Sequence, residues 1–164
     1  MAPEWASEFH DRMDRFETLM RTGRGGVPVS IKVRVTSGCF HREHSPHAYE
    51  LIDRHLRSIP QEGREFTFEE HESGPEVLVY VAAGVTLASS VIQLVAAIIK
   101  ARADGIKKGD RPSEPVELII RRVLKNGEFR EEKILRFRHN DAVDKDAVQE
   151  KLVEAAGKLV DKHD

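Results

Sequence analysis

Apolar and polar residues alternate from Val29 to Thr36: Val29, Ile31, Val33 and Val35 are interleaved with Ser30, Lys32, Arg34 and Thr36. A period of two sends each set to its own face of an extended chain, so this stretch predicts a half-buried strand. The segment ahead of it follows a helical period. Between Pro3 and Thr22, Trp5, Phe9, Phe16, Leu19 and Met20 share one stripe, with acids and arginines between them. Gly23-Arg24-Gly25-Gly26 ends that pattern as a linker. The helix is therefore an appendage. Its stripe of Trp5, Phe9, Phe16 and Met20 is the expected interaction surface, for its own domain, a second copy or a protein partner.

Thr36 to Glu43 reads as a loop, and Ser45-Pro46 as a helix start. A hydroxyl cap precedes a proline at the first helical position, where the missing N–H costs nothing. Ala48, Leu51, Ile52, Leu56 and Ile59 make one apolar face, ended by Pro60 and Gly63. Phe66 and Phe68, alternating with Thr67 and Glu69, give a short second strand, and His71 to Pro75 a turn. Farther on, two strand patterns, Val116–Leu124 and Phe129–Phe137, flank Lys125-Asn126-Gly127-Glu128. Asn-Gly between such patterns signals a hairpin, because both central residues accept positive φ. The implied register pairs Val116 with Phe137, Glu117 with Arg136, Leu118 with Leu135, Arg121 with Glu132, and Arg122 with Glu131. A last helix is expected from Asp144 to Lys162, with Val148, Leu152, Ala155 and Leu159 inward.

Val77 to Ile99 is uncharged throughout, long enough for a membrane span or for a buried helix. On a helical wheel from Gly84 to Asp104, Thr86, Ser89, Ser90, Gln93, Lys100 and Asp104 collect on one side with Ala96 and Ala97. Ala88, Val91, Ile92, Val95, Ile98 and Ile99 collect on the other. That is the pattern of a helix covering a sheet. A span would also cut the expected sheet into two pieces, each too small to hold a core. A buried helix is the expectation. Its first part, Val77 to Ala83, reads equally as a buried strand, since short apolar runs do not separate the two. A membrane-anchored component with one span at residues 77–99 is the alternative.

The order of elements is α-β-α-β-α-β-β-α. A β-α-β unit favours a parallel pair, and the hairpin is antiparallel. The expected fold is thus an α+β two-layer sandwich, with a four-stranded mixed sheet and helices packed on one face. Residues 1–26 are the helix and linker, and residues 27–164 a single domain.

Charge changes this picture little. There are 26 basic and 28 acidic residues, a formal net charge of −2, which gives no support for nucleic-acid binding. A single cysteine, Cys39, rules out an internal disulfide and fits a reducing compartment. The charged N-terminus has no apolar signal core. A cytoplasmic location is expected.

Candidate chemistry concentrates in Cys39-Phe40-His41-Arg42-Glu43-His44-Ser45-Pro46-His47. Cys39, His41, His44 and His47 are donors of the kind zinc takes, and a tetrahedral site needs four. Their spacing matches no standard site, and closing a tetrahedron on one short loop strains it. A solvated loop capping the next helix is the expectation, with metal binding through these four, or with another histidine such as His55 or His71 completing the site, as an alternative. Cys39 beside a histidine also suggests a nucleophile and its base, but catalytic partners are usually distant in sequence. The glycine-rich linker precedes a strand, whereas phosphate loops precede a helix. Arg121 and Arg122 face acidic positions in the hairpin and read as structural. No Ser-His-Asp order, paired-carboxylate motif or dinucleotide fingerprint is present, so no catalytic residue and no cofactor is expected.

The FTFEE strand, the run VAAGVTLASSVIQLVAAIIKARADG and the hairpin VELIIRRV-LKNGE-FREEKILRF together resemble the effector-associated constant component family, from about Val29 to Leu159. The resemblance implies a non-catalytic constant partner or adaptor for variable effectors in bacterial conflict systems, with no catalytic residues to carry over.

Overall fold

The structure, a computed structural model, describes Glu8, Phe9, Asp11 and Met13, and residues 26–35, 39–60, 66–82, 89–110, 115–123, 129–138 and 144–160. Its strands are β1 (Gly26–Val35), β2 (Phe66–Glu69), β3 (Glu76–Ala82), β4 (Val116–Val123) and β5 (Phe129–Phe137). Its helices are α1 (Pro46–Arg57), α2 (Ser89–Lys107) and α3 (Lys145–Val160).

The α+β class is as expected, but the sheet has five strands in the order β2-β3-β1-β4-β5. Every pairing is antiparallel, which corrects the four-stranded mixed sheet. The cause is β3. The start of the uncharged run is extended and slots between β1 and β2, so those two run in the same direction without touching. β3 and β4 likewise run parallel with β1 between them. These are two interleaved split β-α-β units, the ferredoxin-like arrangement, extended by β5 and α3.

The uncharged run is therefore not one helix. It is strand Glu76–Ala82 and then helix Ser89–Lys107, with residues 83–88 outside the described residues. Among the described residues, no helix is long and apolar enough to cross a membrane. Along α2 the expected wheel holds for Ser89, Gln93 and Lys100, which are exposed, and for Val91, Ile92, Val95, Ile98 and Ile99, which are buried, but Ala96, expected on the polar side, is buried too.

All three helices lie on one face of the sheet. Val29, Ile31, Val33 and Val35 of β1, Val77 and Val79 of β3, and Leu118 and Ile120 of β4 share a core with Ile52, Leu94, Ile98 and Leu152 from the helices. Burial of such side chains contributes about 1.5–3 kcal/mol each. The opposite face is also covered. Ser30, Lys32, Glu76, Leu78, Ile119 and Arg121 are buried, as are Phe9 and Met13, whose backbone is helical with that of Glu8 and Asp11. β1 is thus buried on both faces, although its alternation predicts a half-buried strand.

In the β4–β5 hairpin, Val116 pairs with Phe137, Glu117 with Arg136 and Leu118 with Leu135, as expected. A bulge then shifts the register, so Ile119 faces Lys133, Arg121 faces Glu131 and Arg122 faces Arg130. This overturns the expected Arg121–Glu132 and Arg122–Glu131 pairs. The extra residue, Ile134, turns Glu131 to the face of Arg34, whose Nη2 donates to Glu131 Oε1 at 2.8 Å. The Asn-Gly turn lies outside the described residues.

The turn between β2 and β3 continues along β1: Val33 N–H donates to Pro75 O at 3.2 Å and Val35 N–H to Ser73 O at 2.9 Å. The backbones approach so closely that a Cβ on Gly74, at φ +146°, would lie 1.9 Å from Val33 O. Only glycine fits there.

Candidate functional site

Helix α1 starts at Ser45-Pro46, as the sequence predicts, but the Ser45 hydroxyl makes no capping bond. The cap comes from Asp110. Its Oδ1 accepts from His47 N–H at 3.1 Å and its Oδ2 from Ala48 N–H at 2.8 Å. A carboxylate on the first amides also suits the positive end of the helix dipole.

Of the four candidate zinc donors, the structure brings two together. Cys39 Sγ lies 2.8 Å from His44 Nδ1. The His41 ring instead stands edge-on to Tyr49, with centroids 6.2 Å apart. His47 sits exposed in the first turn of α1, its amide on Asp110. The rest of this loop ties β1, α1 and the β2–β3 turn into one frame. Arg42 forks onto Asp53 (Nη1–Oδ2 2.7 Å, Nη2–Oδ1 2.9 Å) and donates through Nε to Glu70 at 3.0 Å. The Arg42 hydrogen bonds hold the Asp53 carboxyl below its usual range. The Tyr49 hydroxyl donates to Phe40 O at 2.8 Å, and burial pushes its ionisation well above the ordinary phenol value. Arg102, buried in α2, stacks its guanidinium 4.9 Å above the Phe40 ring.

A second polar cluster lies on the face of the sheet away from the helices, where the sequence suggested none. Glu76 is fully buried at the start of β3. Its Oε2 accepts from the Ser30 hydroxyl at 2.7 Å and from Arg121 Nη2 at 2.6 Å. Its Oε1 lies 3.4 Å from His71 Nε2, and Glu69 Oε1 lies 3.1 Å from the same nitrogen. The two carboxylates, Glu69 first, raise the His71 pKa above its ordinary value, against the opposing effects of burial and of Lys32. Glu69, His71 and Glu76 are the one group of three metal-type donors, among the described residues, whose ligand atoms all lie within 4.8 Å of one another. The missed signal was the pair Glu69 and His71 at the end of β2. A hairpin brings them beside Glu76, but only once β3 is recognised as a strand.

Phe9 covers this cluster from the N-terminal side. Its ring is fully buried, and the Arg121 guanidinium carbon lies 4.6 Å from its centroid. Desolvated cation–aromatic contacts of this kind contribute about 2 kcal/mol. Of the expected interaction stripe, Phe9 is thus turned onto its own domain, while Trp5, Phe16 and Met20 lie outside the described residues.

A groove of about 380 Å³ runs between α1 and α2, bordered by Arg54, His55, Lys100 and Asp104 over Leu51 and Ala101. His55 Nε2 is buried there without a hydrogen-bond partner, and burial lowers the imidazole pKa.

No protein-family model matches the chain, and neither a curated protein nor a solved structure matches it.

Proposed function

We propose that the chain is a non-catalytic, cytoplasmic protein-interaction module, an adaptor of the effector-associated kind that its sequence pattern resembles. Phe9 carries this reading. An amphipathic N-terminal segment, joined in sequence to β1 through Gly23-Arg24-Gly25, buries its phenylalanine over Arg121 on the charged face of the sheet. Seated on its own domain, this segment meets a partner by releasing Phe9, a residue type that with arginine dominates binding energetics at protein interfaces. On its face of the sheet Arg121 pairs with Glu76 and Arg34 with Glu117 and Glu131, while on the helix side Arg42 pairs with Asp53 and Glu70. They build a frame for binding.

In-cell crosslinking tests this on the full-length chain, comparing wild type with Phe9→Glu. An adaptor gives a defined protein adduct, a partner or a second copy, whose yield changes at least tenfold in the variant. An identical adduct profile from a folded Phe9→Glu chain rules the reading out.

A further inference from the structure

We propose that Glu69, His71 and Glu76 form a binding site for one first-row divalent cation of the size of zinc or cobalt. The inference is independent of the adaptor reading and rests on four features of the cluster.

The first is spacing. A four-coordinate ion with bonds of about 2.0 Å holds neighbouring ligand atoms about 3.3 Å apart. His71 Nε2 stands 3.1 Å from Glu69 Oε1 and 3.4 Å from Glu76 Oε1, which brackets that edge. Two edges of a tetrahedral face are thus in place, and the three ligand atoms all lie within 4.8 Å of one another.

The second is support. Carboxylate ligands are held by outer hydrogen bonds that fix which oxygen faces the ion. Glu76 is buried, and Ser30 and Arg121 both donate to its Oε2. Its Oε1 is thereby aimed at His71. These supports come from β1 and β4, so three adjacent strands fix one oxygen.

The third is access. Glu69 and His71 keep 25% and 28% of their side-chain surface exposed, so an ion can arrive from solvent and retain water at its fourth position.

The fourth is charge. Lys32 is the register partner of Glu76 on the same face, and Arg121 contacts Glu76 directly. Two cations therefore already balance the two carboxylates. Net charge alone does not draw a cation in, and affinity has to come from the coordinate bond to imidazole. That selects zinc and cobalt over magnesium and calcium, which prefer oxygen ligands.

The test adds cobalt(II) alone to the full-length protein in a non-coordinating buffer and follows its visible absorption. The expected result is uptake of one equivalent, displaced by zinc and untouched by a hundredfold excess of magnesium. Glu69→Gln and His71→Ala each weaken uptake at least tenfold, with folding checked by circular dichroism. Both side chains are partly exposed, and Glu69→Gln keeps the shape of the site if His71→Ala disturbs it. Cys39→Ser and His44→Ala bind as wild type does. No uptake by wild type, uptake that survives both ligand replacements, or uptake abolished by Cys39→Ser overturns the proposal.

Discussion

Asp110 caps α1 from 62 positions away in the chain, with its Oδ2 2.8 Å from the Ala48 amide. Gly105 makes this possible. A Cβ at Gly105 would lie 2.2 Å from Asp110 Oδ2 and 2.9 Å from Ala48 N. Asp110→Ala should lower stability by about 1–2 kcal/mol, the usual cost of a lost cap. Gly105→Ala should cost more in the wild-type background than in Asp110→Ala, because part of its clash is with that carboxylate. Urea denaturation of the two single variants and the double variant measures this coupling. Strict additivity would mean that the two sites do not touch.

The Glu76–Arg121 pair is buried, at 0% and 4% side-chain exposure. Removing one member of such a pair leaves the other charged and desolvated, at a cost of about 3–5 kcal/mol. Arg121→Met should fall in that range. Adding Glu76→Leu should restore part of the loss, since an apolar pair of similar volume has no charge to desolvate. Unfolding midpoints would decide it: a double variant less stable than Arg121→Met contradicts the pairing.

Acid should act on Arg42 and Asp53. The folded-state pKa of Asp53 is lowered, first by the Arg42 hydrogen bonds. A carboxylate depressed in the folded state contributes stability above its unfolded value, about 3.9. That contribution disappears as pH falls through the folded value. Wild type should therefore exceed Asp53→Asn in urea midpoint at pH 6, and the gap should close with acidification below pH 3.9. A gap that stays constant through this window would show that Asp53 is not ion-paired in solution.

β1 is the central strand and is covered on both faces. Its amides should exchange with deuterium most slowly among the strands, while those of the edge strands β2 and β5 exchange faster. Exchange of β1 as fast as β5 would contradict the strand order.

Much of this architecture was legible where a local pattern carried it. The pairs Val116–Phe137, Glu117–Arg136 and Leu118–Leu135 followed from alternation counted back from the Asn-Gly turn. The bulge after Leu118 did not, because Ile134 and Leu135 are adjacent apolar residues and alternation cannot show which is the extra one. The split of the uncharged run was legible only as one of two readings, a buried strand or helix over Val77 to Ala83, for a related reason. Val77 and Val79 face the helices while Leu78 lies on the opposite, covered face, and a strand buried on both sides loses its period of two. Once β3 is read as helix, Glu76 has no reason to meet Glu69 and His71, and the polar cluster vanishes from view. The Cys39–His44 contact was legible as local chemistry, whereas the capping of α1 by Asp110 depends on a tertiary approach that no local pattern encodes.

Position 9 offers the most direct measurement of the interaction reading. A benzophenone side chain placed there in the full-length protein reports what the segment touches. In purified protein, irradiation should give an adduct within one chain, mapping to β4 around Arg121. In cells, a second adduct to one defined protein, or to a second copy, should accompany it. Failure to crosslink to the sheet in purified protein, or the absence of any protein adduct in cells, would contradict the docking element proposed here.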